Sequence, residues 1–274
     1  MDERITPLRQ AIEKVLPEVE GVIGLKRGPA GHIAPHLFQK ERPQELNDLS
    51  LWPKYPVPDT MRLIQKAHPE AKLGIVCRGC EERGLVEMFK HTQVNLKNVT
   101  LIGLECTQEE AAFCRCAKPY TLHAGLVVGA PIEGVPDPLT DEFAAKSPEE
   151  KLAYWKDQFQ RCIKCYGCRN TCPQCFCNVC ALEDETWVPT AWLPMPMPPM
   201  YHLVRAMHMT AKCVACRECE ETCPAGIPMA IQYRLIARDV KEMYGYETGV
   251  SMEAKPPQLL VLADGEFDKT GLPH

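Results

Sequence analysis

The sequence has few aromatic residues, no long hydrophobic run and no marked excess of charge of one sign. Aromatic residues make up 7% of the 274 residues, and the formal net charge is −5. No apolar stretch approaches the roughly 20 residues that a membrane-spanning helix needs, and the Lys and Arg residues are scattered rather than clustered. We therefore expect no membrane span and no nucleic-acid binding. With 45% hydrophobic residues, the chain can form one or two soluble domains.

The sequence also lacks the common catalytic motifs. It contains no nucleophile elbow, HExxH sequence or Ser-His-Asp set, so it predicts no catalytic acid, base or nucleophile of its own. Met1 is followed by charged residues rather than by an apolar run, so we expect no secretory signal and a cytoplasmic location. His202 and His208 are six positions apart and do not share a helix face. We interpret them as surface or hydrogen-bonding residues rather than ligands.

Cysteine, in contrast, is abundant, with sixteen in the chain. In a reducing compartment, clustered thiols indicate metal or redox chemistry rather than disulfides. Two groups of four share the C-x2-C-x2-C-x3-C-P spacing with which bacterial ferredoxins bind 4Fe-4S clusters. The first group is Cys162, Cys165, Cys168 and Cys172, and the second is Cys213, Cys216, Cys219 and Cys223. This repeated spacing predicts an iron-sulfur electron carrier.

The fourth cysteine of each group is expected to bind the other group's cluster, as in two-cluster ferredoxins. The first cluster would then be held by Cys162, Cys165, Cys168 and Cys223, and the second by Cys213, Cys216, Cys219 and Cys172. A pair of structural zinc sites is the alternative, but zinc is usually held by paired cysteines rather than by three evenly spaced thiols followed by a Cys-Pro sequence. The spacing favours iron-sulfur clusters.

Eight further cysteines lie outside the ferredoxin pattern, and several interpretations of them stay open. A third cluster is predicted at Cys80, Cys106, Cys114 and Cys116. A fourth cluster, or a set of further ligands, is predicted at Cys77, Cys175, Cys177 and Cys180. Any one of these cysteines can instead be a small buried hydrophobic residue, and zinc can occupy a less regular site. The count alone allows two, three or four clusters.

The first half of the chain is predicted to form an α/β domain over residues 1–135. Apolar spacing predicts a helix at 3–16, and short apolar runs predict strands at 73–77, 99–104 and 126–129. Residues 21–58 are rich in Gly and Pro and are expected to be irregular with short elements. Some of the extra cysteines follow the predicted strands directly, where open α/β sheets place their sites.

The second half is predicted to be an α+β bacterial-type dicluster ferredoxin domain at 148–250, with a long insertion between its two cysteine groups. Residues 136–147 are expected to form a linker because they contain Pro136 and Pro138, and Ser147 is the predicted N-cap of the next helix. Helices are predicted at 201–210 and 229–246. A proline-rich surface segment at 189–200 and a polar tail at 251–274 complete the prediction.

Three stretches of the sequence together resemble a known family. They are RGCEERGLVEMFK followed by IGLEC, then CIKCYGCRNTCPQCFCNVC, and then YHLVRAMHMTAKCVACRECEETCPAGIP. They are similar to the beta subunits of deazaflavin-reducing hydrogenases and formate dehydrogenases, especially the shorter members that work beside heterodisulfide-reductase-type flavoproteins. The resemblance covers about residues 60–250. It implies an iron-sulfur subunit that moves electrons between a catalytic subunit and a flavin-containing partner in a cytoplasmic multisubunit complex.

Two functions follow from these observations. The first is a non-catalytic subunit that relays electrons between a dehydrogenase-type or hydrogenase-type subunit and a heterodisulfide-reductase-type flavoprotein. The second is a subunit that itself holds FAD and exchanges hydride with deazaflavin or NAD(P)H, since full-length members of the family bind FAD and the deazaflavin coenzyme. Residues 1–60 contain no glycine-rich flavin-binding segment. An iron-sulfur redox sensor is a third interpretation, without a DNA-binding signature to support it.

Overall fold

The computed structural model describes residues 2–183 and 197–264 of the chain. The chain divides into two compact units, Met1–Pro136 and Asp137–His274. No helix in the described part of the chain is long and apolar enough to cross a membrane.

The first unit is built on a mixed sheet flanked by helices. Its strands are β1 (Gly21–Arg27), β2 (Ile33–Phe38), β3 (Leu49–Ser50), β4 (Leu73–Cys77), β5 (Val99–Leu104) and β6 (Leu126–Val128). The main order is β2-β1-β4-β5-β6, and β3 also pairs with β1. β4 pairs with β1 and with β5 in parallel, and β5 pairs with β6 in parallel. β2 and β3 each pair with β1 antiparallel. The carboxyl ends of β4 and β5 therefore lie side by side at one edge of the sheet.

Helices cover both faces of this sheet. They are α1 (Ile5–Val15), α2 (Val57–Ala67), α3 (Gly79–Lys90) and α4 (Gln108–Cys114). The apolar face of α1 shares a core with Val22 and Val76. Because neighbouring strand residues face opposite sides of a sheet, Ile23 and Ile75 point away from α1, and both are fully buried. Burial on both faces explains why β4 has no polar residue, as is usual for a parallel strand.

Residues 21–58 are more regular than predicted, because the short elements expected there are the strands β1, β2 and β3 and the start of α2. The glycine and proline residues of this stretch favour an irregular structure when only the sequence is considered. A Cβ atom at Gly24 would lie 3.2 Å from the Phe38 ring, so the glycine in β1 allows that ring to pack closely. Pro35 lies in β2, an edge strand, where a residue without a backbone N–H is tolerated.

The second unit is helical in its described residues, with no strand in 137–183 or 197–264, and its predicted α+β ferredoxin class stays a prediction. Its longer helices are α5 (Pro138–Ala144), α6 (Pro148–Gln160), α8 (Met197–His208), α10 (Met229–Tyr244) and α11 (Pro257–Asp264), and its four-residue helices are α7 (Gly167–Asn170) and α9 (Glu218–Glu221). The predicted N-cap of α6 is present, since the Ser147 hydroxyl accepts a hydrogen bond from the Glu150 amide at 3.2 Å.

Two segments of this unit differ from their predictions. The predicted linker at 136–147 contains α5, because Pro138 occupies the first helical position, where proline starts a helix rather than breaking one. This helix packs on α10, and Asp137 forms an ion pair with Arg234. The predicted polar tail contains α11. Residues 184–196 of the proline-rich segment and its approach, and residues 265–274 of the tail, lie outside the described residues.

Candidate metal centres

The two cysteine groups of the second unit have the same backbone geometry. In the first group, Lys164 and Tyr166 have φ angles of 52° and 57°, and 51 positions later Ala215 and Arg217 have φ angles of 57° and 67°. Left-handed conformations are uncommon for residues other than glycine, so their recurrence at matched positions is specific. Each second left-handed residue is followed by a four-residue helix, α7 or α9.

A backbone hydrogen bond to sulfur recurs in both groups as well. The Lys164 amide donates to Cys162 Sγ at 3.4 Å, and the Ala215 amide donates to Cys213 Sγ at the same distance. Amides that point at cysteine sulfur stabilise its anionic form, and they are one of the means by which proteins set cluster potentials. The sequence repeat is therefore also a structural repeat.

One cavity of the second unit is lined by four of the predicted ligands. It encloses about 420 Å³, including the part open to solvent, and four of its lining residues are Cys172, Cys213, Cys216 and Cys219. These are the four cysteines predicted for the second cluster. Cys172 comes from the first group and the other three come from the second, so the chain crosses over between its two halves at this cavity.

The other four predicted ligands line another cavity, which is called the first cavity below because its cysteines belong to the first cluster; the cavity just described is called the second cavity. The first cavity encloses about 330 Å³, again including open space, and its cysteines are Cys162, Cys165, Cys168 and Cys223. These cysteines are the predicted ligands of the first cluster, with the crossover in the opposite sense. Cysteines that bind a cubane surround a central space because each ligates a different iron. The donor set and the cavities therefore fit one 4Fe-4S cluster each. No group of three or more His, Cys, Asp or Glu side chains within 2–183 and 197–264 has the geometry to hold a single metal ion.

Helix α8, in the insertion between the two cysteine groups, contributes polar side chains to the first cavity. His202 Nε2 lies 3.3 Å from Cys162 Sγ, and the Tyr201 hydroxyl lies 3.7 Å from Cys168 Sγ. The imidazole is buried and stacks on the Phe159 ring with a centroid distance of 4.4 Å. Burial and the neighbouring Arg205 charge lower the pKa of His202 to about 4. His202 is therefore a neutral imidazole beside a candidate ligand. The sequence predicted a surface or hydrogen-bonding residue at this position but did not indicate its partner.

The same helix places Arg205 inside the unit. Its side chain is buried, with Nη2 donating to the Cys168 carbonyl at 2.8 Å and Nη1 donating to the Tyr233 hydroxyl. Arg205 also lines the cavity that holds the four second-cluster cysteines. Sequence reasoning missed this residue, because its partners lie 28 and 37 positions away. The available signal was an arginine in the last turn of an otherwise largely apolar helix.

The cysteines predicted for a third cluster lie in the first unit near the carboxyl ends of β4 and β5. Burial raises the pKa of the Cys106 thiol to about 12, and the Arg78 guanidinium opposes that rise. The Arg78 charge also interacts with Cys80, and Cys106 interacts with Cys116. Cys114, at the end of α4, has its sulfur 3.8 Å from Lys54 Nζ. These cysteines therefore share a region with basic side chains, and a common cluster stays a prediction.

The residues predicted for a fourth cluster are divided between the two units. Cys77 ends β4 and is fully buried, and burial raises the pKa of its thiol. Cys175 lies 3.7 Å from Met209 Sδ and is hydrogen-bonded to Cys172, Cys177 is exposed, and Cys180 is partly buried. This set too stays a prediction.

A loop beside the first-unit cysteines is held by two buried carboxylates. Glu82 of α3 accepts hydrogen bonds from the amides of Leu122, His123 and Ala124 at 2.5, 2.9 and 2.8 Å. The Glu105 carboxylate accepts from both the amide and the hydroxyl of Thr121. The loop is thereby fixed against the amino-terminal end of α3, the end that carries Cys80.

Gly79 is expected to tolerate no side chain at this junction. A Cβ atom there would overlap the Tyr120 carbonyl oxygen of the loop, so Gly79→Ala should lower the free energy of unfolding by about 2 kcal/mol. Gly125→Ala is the matched control, because a Cβ atom at Gly125 meets nothing within 4 Å. Urea denaturation followed by circular dichroism measures both variants. Equal stability of the two would contradict the close approach.

No protein-family model matches the chain. Curated relatives confirm the predicted resemblance to the beta-subunit family of deazaflavin-reducing dehydrogenases.

Two of these relatives come from methanogens. The chain is 36% identical over 128 residues to the F420-dependent formate dehydrogenase subunit beta of Methanocaldococcus jannaschii, and this match covers 46% of the chain. It is 40% identical over 135 residues to the F420-dependent formate dehydrogenase 1 subunit beta of Methanococcus maripaludis, covering 48% of the chain. Both matches span 34% of the relative's own length, about a third of each curated protein.

Proposed function

We propose that this protein is an iron-sulfur electron-transfer subunit of an oxidoreductase complex. The observation that carries the proposal is the pair of cavities, each lined by four cysteines that the ferredoxin spacing assigns to one cluster. A 4Fe-4S cluster, when bound, accepts and releases single electrons. The chain's own residues supply the ligands, the buried surroundings and the hydrogen bonds to sulfur that set how readily an electron is held.

The partners are proposed from the relatives. Both relatives are named as beta subunits of formate dehydrogenases, and a beta subunit implies at least one other subunit. We infer that this chain receives electrons from a dehydrogenase-type or hydrogenase-type subunit and passes them to a flavoprotein of the heterodisulfide-reductase type, or carries them in the reverse direction.

The number of clusters is the first quantity to measure. Chemical determination of iron and acid-labile sulfide in the anaerobically purified chain should give about eight irons if the two ferredoxin-type clusters are the full set. About twelve would assign a third cluster, for which Cys80, Cys106, Cys114 and Cys116 are the proposed ligands, and about sixteen would assign a fourth. Fewer than about eight irons would refute the proposed function.

The alternative function is a subunit that holds FAD and exchanges hydride with a soluble coenzyme. One observation favours it, because both relatives are named as F420-dependent. The proposed location is the α/β unit, where open sheets bind ligands at the carboxyl ends of their strands. Acid extraction of the purified chain, followed by flavin chromatography, decides between the two functions. Stoichiometric FAD would replace the relay with the alternative, whereas cluster absorbance without flavin would exclude the alternative.

A further inference from the structure

Arg205 is a buried cation beside the candidate cluster cavities. Arg205 is 2% exposed, and within residues 2–183 and 197–264 no Asp or Glu pairs with its guanidinium. The guanidinium donates hydrogen bonds to the Tyr233 hydroxyl and the Cys168 carbonyl, both neutral groups, and its Nε has no hydrogen-bond partner among the described residues. Burying a charge without a counter-charge is strongly unfavourable. We therefore expect an anion close to the Arg205 guanidinium.

The nearest groups that can be anionic are cysteine sulfurs. Arg205 Nη2 lies 3.8 Å from Cys175 Sγ, and the side chain lines the cavity of the second-cluster cysteines. Nη2 also donates to the carbonyl of Cys168, a candidate ligand of the first cluster. The guanidinium thus lies close to candidate ligands of both clusters, and it lines only the second cavity.

We propose that the positive charge of Arg205 raises the reduction potential of both clusters. It raises the potential of the second cluster by the larger amount. This inference rests on the proposed function, since it concerns the clusters named there. Reduction adds one electron to a cluster that its cysteinate ligands already make anionic, so a nearby fixed cation favours the reduced state. The charge is permanent, because arginine stays protonated in proteins.

The first cavity receives a different kind of contact from the same helix. His202 Nε2 and the Tyr201 hydroxyl approach its cysteines, and neither side chain carries the permanent positive charge of an arginine. Neutral hydrogen bonds stabilise an added electron less than a full charge does in a buried site. Helix α8 thus makes the two clusters unequal, with the second cluster as the better electron acceptor.

The test is a potentiometric titration of the full chain, monitored by electron paramagnetic resonance. Arg205→Gln should shift the midpoint potential of the second cluster to a more negative value, and that of the first cluster by a smaller amount. Arg205→Lys keeps the positive charge and should restore most of the shift. Arg238→Gln is the matched control, because it removes the same charge from a residue that is 48% exposed and paired with Asp141 on the surface. Water screens such a charge, so this variant should leave both potentials unchanged.

Unchanged potentials in Arg205→Gln would overturn the inference, and so would an equal shift in Arg238→Gln. If Arg205→Gln fails to bind clusters, the wild-type order of potentials provides the test. The Cys168→Ala and Cys219→Ala variants would each leave one of the two clusters, which assigns each potential to a cluster. A second cluster with the lower potential would then overturn the inference. Fewer than about eight irons in the wild-type chain would instead refute the proposed function itself.

Discussion

The Cys168→Ala variant is expected to lose one cluster, and with it about four irons per chain. Cys168 lines the first cavity and is 8% exposed, so solvent has little access with which to replace the missing thiolate. The second cluster should persist, because none of its four candidate ligands is changed. Iron determination together with electron paramagnetic resonance measures the loss. Electron transfer through the assembled complex should fall to background.

Cys177→Ala is the matched control for this experiment. The Cys177 side chain is exposed and lines neither cavity, so its removal should leave both ferredoxin-type clusters in place. If Cys168→Ala transferred electrons at the wild-type rate with its cluster absent, the relay function would be wrong. If Cys168→Ala kept both clusters, the assignment of its thiol as a ligand would be wrong.

The Glu82→Gln variant is expected to lower the free energy of unfolding by about 3 kcal/mol. The carboxylate is fully buried and accepts hydrogen bonds from three consecutive loop amides. An amide side chain offers one acceptor oxygen, and its NH2 group faces donors where the carboxylate had an acceptor. The loop at 122–124 should also exchange its amide hydrogens faster, because those amides lose their partners. Denaturant titration and hydrogen-exchange mass spectrometry measure the two effects.

Glu70→Gln provides the comparison for Glu82→Gln. Glu70 is exposed, and substitutions at such positions usually change stability by less than about 0.5 kcal/mol. If Glu82→Gln unfolds at the same denaturant concentration as Glu70→Gln, then the carboxylate does not hold the loop. If only Glu82→Gln is destabilised but its loop exchanges at the wild-type rate, then the stabilisation acts elsewhere in α3.

Local sequence signals predicted the parts of the fold that are formed by local interactions. The apolar run at 73–77 became β4, and Thr107 forms the capping box with Glu110 that its spacing indicates. The strands at 21–38 were missed because their reasons are not local. The absence of a side chain at Gly24 allows the Phe38 ring to pack closely. Pro35 lies in the edge strand β2, where a residue without a backbone N–H is tolerated.

The candidate metal centres also combine features that local sequence specifies with features that depend on tertiary contacts. The ligand sets could be written from spacing alone, since the cysteine pattern specifies both the donors and the crossover. The polar groups around the sulfurs could not. Arg205 meets the Cys168 carbonyl across 37 positions, and His202 meets Cys162 across 40. Contacts of this kind depend on how α8 packs, which no pattern in the local sequence specifies.

The crossover between the two cysteine groups has a consequence for synthesis of the protein. A nascent chain that has been extended only to Lys212 contains three cysteines of one cavity and one of the other. It can complete neither set of ligands, although it has already emerged as far as α8. The second set becomes complete when Cys219 has been added, and the first set only when Cys223 has been added. A chain that terminates before Cys219 therefore lacks a complete set of ligands for either cluster.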